Sequence, residues 1–234
     1  MTTVVLIAGL AADRRMWESQ LQALSPYWPT VVATGHEREH SITAMAQVVL
    51  DRHAGSLVLC GASMGGIVAL EAIRLAPQRI RALALLGTVA HPETPEMHAL
   101  RSAAIDLFAQ GRAEEVIRAN VAMAFEHTHA EDNALTQRYL DMVLSAGADL
   151  LTAQNRAVMA RPDARTHLAQ VACPTLVLCG EDDALTPPLH SRQIADAVPR
   201  AELRLIPRCG HMLTLEQPQQ VNAALLQWLQ RLPV

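Results

Sequence analysis

The feature that most constrains this chain is a five-residue pattern, Gly61-Ala62-Ser63-Met64-Gly65. The run before it, Ser56-Leu57-Val58-Leu59-Cys60, is short and apolar, as a buried strand requires. The run after it, Ile67-Val68-Ala69-Leu70-Glu71-Ala72-Ile73, reads as a helix. A chain that passes from strand to helix within about five residues brings two backbones almost into contact. A side chain at position 61 or 65 would collide there, so glycine is required at both. The apex residue, Ser63, is then forced into a strained conformation with its hydroxyl raised above the end of an α/β sheet. Taken alone, the stretch also fits a plain glycine turn with a solvated serine.

The rest of the chain supplies a sheet for that turn. Strand-like runs cover 3–8, 30–33, 56–60, 81–86, 174–179 and 202–206. Helical patterns lie between and after them, at 15–24, 41–53, 65–76, 188–198 and 218–231. Ser41 is a suitable N-cap, and Pro218 suits a first helical turn. This alternation predicts a mostly parallel, doubly wound sheet of about six strands with helices on both faces.

The alternation stops at His91 and resumes after Arg165. Residues 91–165 carry helical patterns at 96–110, 113–126 and 133–160. So long a segment is not a loop, and a packed helical insertion is expected. The expected domains are a core of 1–90 and 166–234 and an insertion of 91–165. Most apolar residues of the insertion are expected to pack as core against the sheet, with a minority left to line a pocket. These include a stripe of Leu100, Ala103, Ala104, Leu107 and Phe108 and another of Tyr139, Met142, Val143 and Ala146.

Composition narrows the classes. Half of the 234 residues are hydrophobic, so the chain is globular. A net charge of −4 gives no reason to expect nucleic acid or an anionic membrane as partner, and 3% aromatic residues leave no stacking platform for single strands. No run approaches the ~20 apolar residues of a bilayer span. The four cysteines, Cys60, Cys173, Cys179 and Cys209, have no metal-ligand spacing and are expected to be free thiols of a cytoplasmic protein.

A serine hydroxyl is a weak nucleophile near neutral pH and needs a base, which in turn needs an orienting acid. On such a sheet these come from loops at the carboxyl ends of later strands, acid before histidine. After the strand at 174–179 stands Gly180-Glu181-Asp182-Asp183-Ala184-Leu185-Thr186-Pro187. After the strand at 202–206 stands Pro207-Arg208-Cys209-Gly210-His211-Met212. Of the ten histidines, His211 alone directly follows the last strand in a glycine turn. His91, His98, His127, His129, His167 and His190 are expected to be surface or packing residues. His36 and His40, in the loop after the second strand, have a possible place beside a pocket. The acid is open among Glu181, Asp182 and Asp183. An oxyanion formed on attack needs about two N–H donors. One is expected from Met64. The other is expected from the loop Ala8-Gly9-Leu10-Ala11-Ala12, with Leu10 as candidate.

Together these pieces resemble the α/β-hydrolase superfamily, and the likeness runs over nearly the whole chain. It is most similar to the small capped members grouped with esterases, lactonases and cofactor-free haloperoxidases. Gly61-Ala62-Ser63-Met64-Gly65-Gly66 resembles their nucleophile elbow. Cys209-Gly210-His211-Met212 with Leu215-Glu216-Gln217-Pro218 resembles their histidine loop. In the acid loop the family places its carboxylate third after the glycine, which implies Asp183. The insertion falls where the family carries its cap. The chain has Ala8-Gly9 where the family often has His-Gly, and a shorter stretch at Thr34-Gly35-His36-Glu37-Arg38. It starts where the family's third strand begins, which implies six strands without the antiparallel edge. The resemblance implies a hydrolase of small to medium, largely apolar carboxylic esters or lactones. Ser63, His211 and Asp183 would be catalytic, with no cofactor and no metal. A cofactor-free haloperoxidase (perhydrolase) and a ligand-binding relative without turnover are the alternatives it carries.

Overall fold

A computed structural model describes residues 2–232. Six strands form one sheet: β1 (Thr3–Ile7), β2 (Thr30–Val32), β3 (Leu57–Ala62), β4 (Ile80–Leu86), β5 (Thr175–Gly180) and β6 (Ala201–Ile206). Their order is β2-β1-β3-β4-β5-β6, and every neighbouring pair is parallel. The expected six-stranded sheet without an antiparallel edge is therefore present among the described residues.

Alternating side chains divide the core into two layers. Val4, Leu6, Val58, Cys60, Ala82, Ala84, Leu176 and Leu178 face one side, where Trp17 and the last helix pack. Val5, Ile7, Leu57, Leu59, Leu83, Leu85 and Val177 face the other. Helices α1 (Glu18–Leu24), α2 (Ile42–Arg52) and α3 (Met64–Leu75) follow β1, β2 and β3. Ser41 caps α2 as expected, its side chain accepting from Ala44 N–H.

Between β4 and β5 lie six helices: α4 (Pro95–Ala109), α5 (Ala113–Ala119), α6 (Val121–Ala124), α7 (His127–Ala130), α8 (Asn133–Leu144) and α9 (Gly147–Met159). Two expected helices are divided. The run at 113–126 is interrupted at Asn120 and ends at Phe125, whose backbone is extended (φ −118°, ψ 152°) where it passes against Gly210. The run at 133–160 is broken before Gly147, whose φ of 79° is left-handed. The short α7 was not legible in the periodicity. It is capped by Glu126, whose carboxylate accepts from the Thr128 and His129 N–H groups.

The chain closes with α10 (Pro188–Ala197), α11 (Leu213–Glu216) and α12 (Pro218–Leu229). One face of α12 is buried, made of Val221, Ala224, Leu225, Trp228 and Leu229. No helix among the described residues is long and apolar enough to cross a membrane.

Candidate active site

The turn between β3 and α3 brings backbone against backbone. A Cβ on Gly61 would overlap the Gly65 carbonyl, and one on Gly65 would overlap the Ile7 carbonyl. Both obstacles are backbone, so neither can move aside. Ser63 takes φ 52° and ψ −118°, a conformation that costs about 1–3 kcal/mol and must be held by its surroundings. Its N–H donates to Leu86 O at 2.9 Å, and Thr88 Oγ1 donates to Ser63 O at 2.7 Å. The strained apex is thus tied on both sides to the end of β4.

His211 stands over that apex. Its Nε2 lies 3.0 Å from Ser63 Oγ. Its Nδ1 lies 2.9 Å from Asp183 Oδ2 and 3.1 Å from Oδ1. A carboxylate only accepts, so Nδ1 carries the hydrogen and Nε2 is left to accept the serine proton. Of the three acids in the loop after β5, Glu181 and Asp182 are exposed and Asp183 is 3% exposed. Asp183 also accepts from Leu185 N–H at 3.0 Å, Thr186 N–H at 2.7 Å and Thr186 Oγ1 at 2.8 Å. Burial works to raise its pKa. The hydrogen bond of His211 and the charge that ring carries when protonated, with the Thr186 donors, outweigh burial and hold it below the ordinary carboxylate value.

The loop after β1 closes the third side. A Cβ on Gly9 would sit 3.3 Å from the Ser63 Cβ, so the loop passes directly beside the hydroxyl. Leu10 and Met64 both line the cavity that holds Ser63. Neither backbone N–H has a protein acceptor among the described residues. Ala11, at a left-handed φ of 54°, donates its N–H to Gln154 Oε1 at 2.6 Å. Gln154 is fully buried on α9 and donates Nε2 to Glu37 O at 3.0 Å. A side chain of the insertion thus braces the loop where the family's usual histidine is missing.

The histidine loop is held in a similar way. His211 and Met212 N–H both donate to Ala124 O, at 3.0 and 3.1 Å. The Glu216 carboxylate accepts from Gly210 N–H at 3.0 Å, Met212 N–H at 2.9 Å and Glu126 N–H at 2.8 Å. His129 Nδ1 lies 3.0 Å from the same carboxylate. No role for Glu216 follows from local periodicity. Its place in the Leu215-Glu216-Gln217-Pro218 stretch was the only signal.

Ser63 and His211 open into a cavity of about 670 Å³ between the sheet and the insertion. Leu100, Ala103, Ala104, Leu107 and Phe108 all line it, as do Tyr139, Met142 and Val143. The α4 stripe departs from the expected core packing, with Leu100 64% exposed and Phe108 alone buried, whereas Tyr139, Met142 and Val143 are buried in the core as expected and also reach the cavity wall. His91 and His190 also line it, with ring centroids 4.6 Å apart, so they are not simple surface residues. His36 and His40 are not on this wall; His36 is buried, and burial pushes its pKa down. All four cysteines are free, and burial pushes the Cys60 and Cys179 thiols up to about 12, which leaves no reactive thiolate there. Among the described residues no group of three or more His, Cys, Asp or Glu is placed to hold a metal ion.

A parallel, doubly wound sheet with a serine elbow facing a histidine and a buried carboxylate defines an α/β protein of the hydrolase type. The sequence matches the alpha/beta hydrolase family over residues 4–224, and the chain belongs to that family. It is similar to a pimeloyl-[acyl-carrier protein] methyl ester esterase of Nitrosomonas europaea, with 27% identity over 93% of this chain and 91% of the relative. It is also similar to a protein of Serratia proteamaculans named as a carbamate hydrolase, RutD, with 26% identity over 97% of this chain and 90% of the relative. Among solved structures, a thermophilic esterase from Thermogutta terrifontis superposes with a TM-score of 0.90. Its identity is 27%, over all of this chain and 91% of that one.

Proposed function

We propose that this protein is a serine hydrolase that opens a small to medium carboxylic ester or lactone through an acyl-enzyme. Ser63 Oγ attacks the carbonyl carbon while its proton passes to His211 Nε2. Asp183 keeps the imidazole in the required tautomer and offsets its positive charge. The Leu10 and Met64 N–H groups receive the oxyanion. Nε2 then protonates the departing alkoxide. Water enters, gives a proton to Nε2 and attacks the acyl carbon, and Ser63 leaves with that proton. The scheme calls for no metal and no cofactor. Residues 91–165 act as a cap over the core of 1–90 and 166–234, with the substrate between them.

The observation that carries this reading is the unbroken line of contacts from Ser63 Oγ through His211 to Asp183, at 3.0 and 2.9 Å. The esterase names of the relatives support the same chemistry. The test is incubation with a fluorophosphonate followed by peptide mass mapping. A single adduct on Ser63, absent from Ser63→Ala, is expected, with p-nitrophenyl ester turnover lost in the variant. An intact protein that forms no adduct overturns the reading.

A further inference from the structure

The cavity wall carries an arrangement of charge that bond cleavage at Ser63 does not use. Glu93 lies on the segment between β4 and α4, with its side chain 4% exposed. Two guanidinium groups meet its carboxylate. Arg101, on α4, donates Nε to Glu93 Oε2 at 2.6 Å. Arg161, just past α9, places Nη1 2.9 Å from Oε2 and donates Nη2 to Oε1 at 3.1 Å. Arg161 is otherwise held by the backbone. Its Nε donates to His91 O at 2.8 Å and its Nη1 to Val158 O at 3.1 Å. Arg101 is not. Its Nη1 donates to Asn155 Oδ1 at 2.8 Å, but Nη2 has no acceptor among the described residues, and the side chain is 25% exposed.

Glu93, Arg101, Asn155 and Arg161 all line the cavity that contains Ser63 and His211. One negative charge is therefore shared between two positive ones. Both arginines hold Glu93 ionised: burial works to raise its pKa, and the paired guanidiniums bring it below the usual value. The other carboxylate on this wall, Glu115, is exposed and is taken up by Arg112 at 2.7 Å. His91 and His190 can only add positive charge. The wall thus holds one cation in excess, set among apolar side chains. A wholly apolar ligand would displace water from Arg101 and leave its Nη2 without an acceptor, which is costly. A carboxylate would replace that water with charge-assisted hydrogen bonds to a planar donor already fixed by Glu93 and Asn155.

We infer that the substrate of the Ser63 site is an ester or lactone that bears a second, ionised carboxylate, received by Arg101. This rests on the hydrolase reading above and replaces the expectation of a largely apolar substrate. The deciding measurement is equilibrium binding to Ser63→Ala, which involves no chemistry. Monomethyl adipate is expected to bind at least about tenfold tighter than dimethyl adipate. Adding Arg101→Gln should remove most of that preference. Arg101→Gln leaves Glu93 paired with Arg161, so no buried charge is stranded. In the otherwise native enzyme the paired measurement is turnover of the p-nitrophenyl monoester of adipic acid against p-nitrophenyl hexanoate. The ratio of their kcat/KM values should fall about tenfold in Arg101→Gln. A merely structural role would lower both rates together and leave the ratio unmoved. Equal binding of the two methyl esters to Ser63→Ala overturns the inference, whether or not Arg101→Gln folds. So does an unchanged ratio. Loss of p-nitrophenyl hexanoate turnover in the native enzyme would count against the hydrolase reading instead, while binding to Ser63→Ala would still decide the anion site.

Discussion

The two ends of the line from Ser63 to Asp183 are held by different means. At the serine end the constraint is backbone against backbone: glycines at 61 and 65 let β3, α3 and the end of β1 close together, and the end of β4 ties down the apex. At the histidine end the constraint is a set of long-range hydrogen bonds. His211 and Met212 hang from the carbonyl of Ala124 in the insertion, and the buried Glu216 gathers Gly210, Met212 and Glu126 N–H groups. The first end is rigid because nothing can move. The second is ordered because several donors share one carboxylate, and it depends on the insertion being in place.

The contrast can be broken at either end. Gly61→Ala should have the largest effect, because the added Cβ meets backbone atoms that cannot rotate away. We expect a loss of about 3 kcal/mol or more and little folded protein, read by thermal unfolding and soluble yield. A well-folded Gly61→Ala would show that the serine end is looser than its geometry implies.

Asp183→Asn comes next, with kcat reduced roughly 10³–10⁴-fold in a folded protein. The exposed Asp182→Asn should stay within about twofold of the native rate, a surface change away from the hydrogen-bond line. Steady-state kinetics on both variants would sharpen the assignment of the acid. A crippled Asp182→Asn beside an active Asp183→Asn would reverse it.

Glu216→Ala tests the histidine end. Three backbone N–H groups lose their acceptor, so stability should fall by about 2–4 kcal/mol. The rate should drop roughly 10–100-fold in kcat, with KM nearly unchanged, because Ser63 stays in place while His211 loosens. Fluorophosphonate labelling of Ser63 should slow in parallel. An equal loss in kcat and a rise in KM would instead mean that the cavity has collapsed.

The smallest effect is on stability against pH. Asp183 and Glu93 have native pKa values below the ordinary range, so the unfolded chain binds protons first as pH falls. Their contribution is complete above about pH 4–4.5 and is lost as pH falls through the native values. Burial lowers the pKa of His36, so its contribution is present above about pH 6.5 and declines below it. Thermal melts should show a level region from about pH 7 to 8, a shallow fall through pH 6 and a steep fall below about pH 4.5, with a decline at alkaline pH where the unfolded chain's thiols ionise and the buried Cys60 and Cys179 do not. A melting temperature that rises from pH 7 to pH 5 would contradict these signs.

The parts legible in the sequence share one property: they depend on neighbours in the chain. The elbow is five consecutive residues. The strands announce themselves as apolar runs, and the order of serine, acid and histidine follows from which strand each loop trails. Ser41 and Pro218 mark helix starts in the same local way. The boundaries that were missed are also instructive. Residues 113–126 and 133–160 keep a helical period through breaks at Asn120 and before Gly147, and periodicity cannot register a change of direction.

Sequence alone determined the six-stranded parallel sheet, the serine elbow and the pairing of Ser63 with His211, because local sterics and chain order fix them. It left Glu181, Asp182 and Asp183 equivalent until resemblance favoured one, and burial against His211 is what separates them physically. Only the tertiary structure decided that the α4 stripe lines a cavity rather than filling a core. Only it brought Gln154 to Ala11, Glu216 to the Glu126 N–H, and two arginines to Glu93. Apart from Arg101 to Glu93, eight positions apart, these contacts join residues far apart in the chain, and a polar side chain carries no local mark of the distant group that will satisfy it.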